Sequence, residues 1–156
     1  MKNLILSFLV CLSFNFFSQI ALNPVTWKAL YVDLPNGEGE ISFTATIENK
    51  WHIYSQRPTD AGPIPTTFSI TTSSDFKLLG IVQEENAHEE YVKAFEAKVF
   101  VFEHQAIFKQ KIKRLNKKAF ILKASLEYMT CNDSQCLPPK TLSFDITAPS
   151  ISASGK

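Results

Sequence analysis

The sequence has little glycine and almost no net charge. Five glycines are spread over 156 residues and none stands in a G-x-G-x-x-G arrangement, which argues against a phosphate-cradling loop and against nucleotide binding. Lysine plus arginine number 16 and aspartate plus glutamate 15, a formal net of +1. So even a balance leaves no electrostatic footprint for nucleic acid or for direct binding to an anionic membrane. Histidine is scarce and scattered: His52, His88 and His104 share no ligand spacing, and each reads as a surface or strand residue. No Ser/His/Asp signature or paired-carboxylate motif is present. Cysteine is limited to three residues, an awkward odd number for a disulfide protein. Against these absences, 45% hydrophobic and 20% charged residues describe an ordinary globular chain, long enough for one domain with a proper core.

No apolar run reaches the roughly 20 residues of a membrane-spanning helix. The longest, Leu4 to Phe17, covers 14 positions behind a start whose only charge is Lys2. A short basic start followed by an apolar stretch of this length is expected to be a secretory signal peptide over residues 1–18, with cleavage after Ser18 or after Ala21. Cys11 lies inside the run behind Leu9 and Val10, without the small residues that precede a lipidated cysteine. Removal of the segment takes Cys11 and Lys2 with it. The 16 basic side chains become 15, equal to the 15 acidic ones, and the cysteine count becomes even. The exported part then holds one pair, Cys131 and Cys136, in a compartment where disulfides persist.

The remainder reads as strands. Ile41, Phe43, Ala45 and Ile47 alternate with polar partners, and Phe120, Leu122, Ala124, Leu126 and Tyr128 do the same, the period of a half-buried strand. Weaker strands are expected at 25–32, 51–55, 66–71, 76–82, 99–104, 106–113 and 141–146. They are separated by turn residues such as Pro35-Asn36-Gly37, Gly62-Pro63 and Ser73-Ser74-Asp75. Many short strands at this interval predict an all-β antiparallel sandwich over residues 19–149, with a frayed tail at 150–156. Residues 84–98 resist that pattern. They are rich in helix formers, with Ala87, Tyr91 and either Ala94 or Phe95 on one helical face. A surface helix or a long polar loop is one reading. A functional loop presenting Tyr91 or Phe95 is the other.

The chemistry is expected at Tyr128-Met129-Thr130-Cys131-Asn132-Asp133-Ser134-Gln135-Cys136-Leu137-Pro138-Pro139. A strand end is a rigid mount, and a turn of Asn132, Asp133 and Ser134 can bring the two sulfurs within bonding reach. Closing about six residues restricts the unfolded chain by only about 2 kcal/mol, against about 4–5 for a loop of seventy or more. A local pair is therefore a poor staple, although spacing alone leaves both a structural and an exchanging disulfide open. No helix N-terminus or arginine is placed to activate either thiol, so the thiolates are expected to be sluggish. Pro138 and Pro139 stiffen the exit and remove two backbone donors beside Cys136. Met129, Cys131, Cys136 and His52 form a soft set suited to copper(I), but C-x4-C without a near histidine is not a zinc signature. Neither a metal nor any other cofactor is expected.

The stretch Glu127-Tyr128-Met129-Thr130-Cys131 through Cys136-Leu137-Pro138-Pro139 resembles the family of N-terminal periplasmic domains of the bacterial thiol:disulfide interchange protein DsbD. Asn49-Lys50-Trp51-His52-Ile53-Tyr54-Ser55 resembles the family's aromatic strand, Gly62-Pro63-Ile64-Pro65-Thr66 its next turn, and Phe95-Glu96-Ala97-Lys98 the loop that caps its active site. The similarity runs over about residues 25–147; the loop between the cysteines is one residue shorter than in a well-known family member. The resemblance implies an immunoglobulin-like sandwich with the pair at its surface. It implies electrons relayed from a thioredoxin-like or membrane thiol donor to oxidised periplasmic proteins, in contact with the membrane only through partners. By the same resemblance Cys136 forms the mixed disulfide, Cys131 resolves it, Phe95 or its rival Tyr91 caps the pair, and Trp51 and Tyr54 lie near the site. The chain ends at Lys156 without the membrane and thioredoxin-like domains of the family, so the donor is expected on a separate chain. The rival function is an exported protein-binding sandwich with an inert local disulfide. Cytochrome maturation, disulfide isomerisation and thiol repair all fit a reductase of this type.

Overall fold

A computed structural model describes residues 22–59 and 62–151. The segment read as a signal peptide lies outside the described residues, as do residues 152–156 of the tail. The described residues form strands β1 (Val25–Leu34), β2 (Glu38–Ile47), β3 (His52–Tyr54), β4 (Thr67–Ile70), β5 (Phe76–Glu85), β6 (His88–Val92), β7 (Ala97–Glu103), β8 (Gln105–Arg114), β9 (Phe120–Cys131) and β10 (Cys136–Ala148). One sheet has the order β1-β2-β8-β5 and the other β10-β9-β3-β7-β6, all antiparallel, with β4 pairing β9 alongside β3. This is the expected immunoglobulin-like sandwich.

The alternating residues do what their period requires. Ile41, Phe43, Ala45 and Ile47 of β2 and Phe120, Leu122, Ala124, Leu126 and Tyr128 of β9 are buried between the sheets. Ile121, one position out of phase, is 60% exposed. Aromatic side chains fill the centre: Phe68 lies 4.9 Å from Phe43 and 5.0 Å from Phe108, ring centre to ring centre, and Trp27 lies 5.4 Å from Tyr128. Such tilted and edge-on pairs add to the hydrophobic gain because ring edges meet ring faces.

Sharp corners carry the chain from one sheet to the other. Lys50 (φ 70°), Asn86 (φ 68°) and His104 (φ 60°) each take a left-handed conformation between strands of different sheets. In the β1–β2 turn, Asn36 (φ 62°) and Gly37 (φ 71°) do the same, which asparagine and glycine tolerate best.

Residues 84–98 are neither helix nor open loop. His88–Val92 form β6, paired with β7 from His88↔Val101 to Val92↔Ala97, and a single 3-10 turn, Lys93–Phe95, follows. Helix propensity is worth a few tenths of a kcal/mol per residue, and the ladder with β7 together with burial of Val92 outweighs it.

At the end of the sandwich where β9 begins, Arg114 is a buried cation with every side satisfied. Its side chain is 1% exposed; it donates to Asp33 Oδ1 at 2.9 Å and to the carbonyls of Pro149 at 2.9 Å and Lys118 at 2.7 Å, and it lies over the Phe120 ring. This ties together β1, the β8–β9 loop and the end of β10, while Ile151 donates its amide to Lys117 just beyond. Truncation strands three acceptors at once. Arg114→Met is expected to lower the unfolding free energy by about 2 kcal/mol, read as an earlier urea midpoint at unchanged slope. An unmoved midpoint would show that the network contributes nothing net.

Candidate active site

Strand parity decides where the cysteines stand. Along β9 the residues from Phe120 to Thr130 at even positions face the core, so Cys131 falls on the opposite, outer face. Cys136 opens β10 directly across from it, and the two are joined by a disulfide. The intervening hairpin is organised by Asn132. Its Oδ1 accepts the amides of Ser134 and Gln135, both at 2.9 Å, and its own amide donates to the Gln135 carbonyl at 2.9 Å. Asparagine is suited to this because its short side chain imitates a backbone turn.

Beyond Cys136 the ladder slips. Leu137 pairs with Thr130 and Lys140 with Tyr128, so Pro138 and Pro139 together oppose Met129 alone. Two prolines cannot donate to a ladder, and a bulge on an edge strand accommodates them. β10 is the edge of its sheet, which puts Cys136 at a margin of the fold rather than within it.

The outer face is not bare. Tyr54, Val92, Val99, Val101 and Cys131 form a second, smaller apolar cluster, with Phe95, Ala97, Met129 and Cys136 packed against it. The cross-strand register explains its membership: His52 opposes both Cys131 and Glu103, Tyr54 opposes Val101, and Val101, Val99 and Ala97 oppose His88, Glu90 and Val92. Residues directly opposite in an antiparallel pair point to one face. The 3-10 turn after β6 carries Phe95 back over this face, where its ring meets Tyr54 edge-on at 6.0 Å. Glu96 in a left-handed conformation (φ 51°) closes the turn.

The two sulfurs end in unlike surroundings. Cys131 is 1% exposed, whereas Cys136 is partly open to solvent. Tyr91, the other candidate cap, points out of phase with Val92 and is 55% exposed. Trp51, expected beside the site, belongs to the main core between the sheets, while Tyr54 belongs to the cysteine cluster.

His52, which the sequence offers only as a strand residue or a copper(I) ligand, stands beside the pair without a metal cluster around it among the described residues. It is buried at 8% exposure, its Nε2 lies 2.9 Å from the Tyr54 hydroxyl, and its carbonyl accepts the Thr130 hydroxyl at 2.9 Å. Burial pushes its pKa below the ordinary imidazole range, against the pull of Glu90, Glu103 and Asp133. Burial likewise pushes the Tyr54 hydroxyl well above its usual value, so it stays protonated. The available signal was the pairing of His52 with Tyr54 at a two-residue spacing around the core residue Ile53. Beside His52 a recess of about 390 Å³ is bounded by Glu90, Tyr91, Val92, Lys93, Asn132 and Asp133. Among the described residues no group of three or more His, Cys, Asp or Glu converges as for a metal ion.

A buried sulfur bonded to an accessible one, on a hairpin outside the main core and under an aromatic side chain, is suited to attack from one direction. Comparison with known proteins bears on the fold and the family. In fold the chain is similar to the reduced N-terminal domain of DsbD from Neisseria meningitidis, at 16% identity and a TM-score of 0.52, covering 78% of this chain and 85% of the other. It is similar to the same domain in a structure of the complex between the DsbD and PilB N-terminal domains of that organism, at 15% identity and a TM-score of 0.52, covering 81% and 87%. It is also similar to the N-terminal periplasmic domain of ScsB from Proteus mirabilis, at 17% identity and a TM-score of 0.58, covering 80% of this chain and 47%, about half, of the other. No curated protein sequence matches significantly. The family described as thiol:disulfide interchange protein DsbD, N-terminal, matches residues 24–148, so the chain belongs to that family and is a thiol–disulfide exchange domain built around a disulfide pair.

Proposed function

We propose that this domain relays electrons in the periplasm through Cys131 and Cys136, from a thioredoxin-like donor to oxidised periplasmic proteins. The observation that carries the reading is the unequal exposure of the two sulfurs: Cys136 is partly open at a sheet edge and Cys131 is buried behind it. A partner thiolate attacks Cys136, the mixed disulfide forms there, and Cys131 is positioned to resolve it. The relative solved with the PilB N-terminal domain supports docking of a protein partner on this fold. Family membership supports export to the periplasm, in keeping with the apolar start of the chain. Phe95 serves as the cap, resting on Tyr54 and the cysteine cluster.

The rival role, a binding module with an inert staple, makes the opposite prediction for the bond. An exchanging pair is expected to be reduced by thioredoxin and to have a potential above about −300 mV, whereas a structural staple resists below it. A pair left oxidised under thioredoxin sinks the relay. For the roles within the pair, Cys131→Ala is expected to accumulate mixed disulfides through Cys136, detected as higher-mass species that dithiothreitol dissolves. Trapping by Cys136→Ala alone would reverse the assignment. A half-buried aromatic ring contributes on the order of 1 kcal/mol of cover, so Phe95→Ala is expected to speed alkylation of the reduced pair about fivefold. No change in that rate would leave the pair without a Phe95 cap.

A further inference from the structure

Opening a disulfide at a buried sulfur raises a charge problem that the apolar cluster does not answer. Cys131 is almost wholly withdrawn from water, and a thiolate left there is desolvated. Among the described residues, the imidazole set directly opposite it is that of His52, across the β3–β9 ladder and on the same face. Cβ atoms of opposed residues stand about 4.5–5.5 Å apart, within reach of a side chain as long as histidine. The ring is held by the Tyr54 hydroxyl at 2.9 Å, and the adjoining recess between β6 and the cysteine hairpin leads to solvent.

The groups that face His52 come from every neighbouring element. Tyr54 lies on its own strand, Glu103 on β7, His88 and Glu90 on β6, Lys93 on the turn and Asp133 on the hairpin. Glu103 also pairs with His88 at 3.7 Å. Burial outweighs the carboxylates, so beside the closed disulfide the imidazole is neutral near pH 7.

We propose that His52 takes up and returns the proton that accompanies opening and closing of the Cys131–Cys136 bond. The proposal rests on the exchange reading and adds a residue to it. When the thiolate of a partner dithiol attacks Cys136 Sγ, a new S–S bond forms there and the Cys131–Cys136 bond breaks. The electron pair leaves on Cys131 Sγ. A proton from water in the recess goes onto His52, so an imidazolium faces the thiolate and the site gains no net charge. The partner's second thiolate then attacks the partner sulfur of the mixed disulfide: the partner's own S–S bond forms, the bond to Cys136 breaks, and the electron pair leaves on Cys136 Sγ, which takes its proton from solvent and completes the two-electron transfer. In the reverse direction, the Cys131 thiolate attacks Cys136 Sγ of the mixed disulfide, the partner thiolate is expelled, and His52 gives its proton back to water. Without the imidazolium, the same step strands a lone charge among Tyr54, Val99 and Val101.

The test is an NMR titration of the His52 imidazole in the intact chain, oxidised and then chemically reduced with dithiothreitol. The sign follows from the charge: a thiolate favours the protonated ring, so the His52 midpoint is expected to rise by about 1 pH unit on reduction. An identical midpoint in both states overturns the proposal. A second measurement follows alkylation of Cys131 against pH in Cys136→Ser, with and without His52→Gln, which keeps a hydrogen-bonding partner for Tyr54. Loss of the imidazole is expected to move the Cys131 profile up by about 1 pH unit and to slow alkylation about tenfold below it. Superimposed profiles overturn the proposal as well. Failure of thioredoxin to reduce the wild-type pair strikes the exchange reading instead, since both measurements here use chemical reduction.

Discussion

The alternation of side chains along β9 is the constraint on which the rest of the site depends. Six residues of this strand, from Phe120 to Thr130, are committed to one face by burial between two sheets, and a slip of one position would expose them all. The core thereby fixes the phase of the strand up to its last residue. Cys131 arrives on the outer face with its register against His52 and Cys136 already set. The redox pair is aimed by hydrophobic packing over the length of the strand, with no contribution from the thiols themselves.

That placement creates the second requirement, a cover. On an outer face Cys131 would meet water; instead β6 and the turn after it carry Val92 and Phe95 over the pair, and Tyr54, Val99 and Val101 complete an apolar cluster separate from the main core. The cluster is small, and it is bordered by one short 3-10 turn whose following residue is left-handed. The main core, where Phe43, Phe68, Phe108 and Phe102 meet in sequence ring to ring, is a separate cluster. Polar groups at the rim, His52 and Tyr54, are buried and bonded to each other, so the cover excludes water without leaving either unsatisfied.

Much of this was legible in advance. The strands around Phe43 and Leu122 follow from period-2 patterning, and the hairpin at Asn132 follows from turn chemistry. Residues 84–98 were not legible, because their helix formers speak only for local preference while β7 supplies hydrogen-bonding partners from outside the segment. Trp51 and Tyr54, three positions apart, fall on opposite faces of a strand, but local patterning does not say which of them faces the main core. Trp51 is buried in the main core and Tyr54 in the cysteine cluster, a distinction that rests on which face each takes where the chain leaves its corner at Lys50. His52 reads as an ordinary strand residue until β9 is laid beside it.

The sequence by itself determined an all-β chain, the sites of its turns and the meeting of Cys131 with Cys136, because each depends on neighbours within a few residues. Only the tertiary structure decided which sulfur is hidden, which aromatic side chains pack in its cluster and which histidine stands opposite it. Those properties require residues near 52, 92 and 131 to meet across separate strands, and the loss of water around a side chain exists only once those strands have assembled.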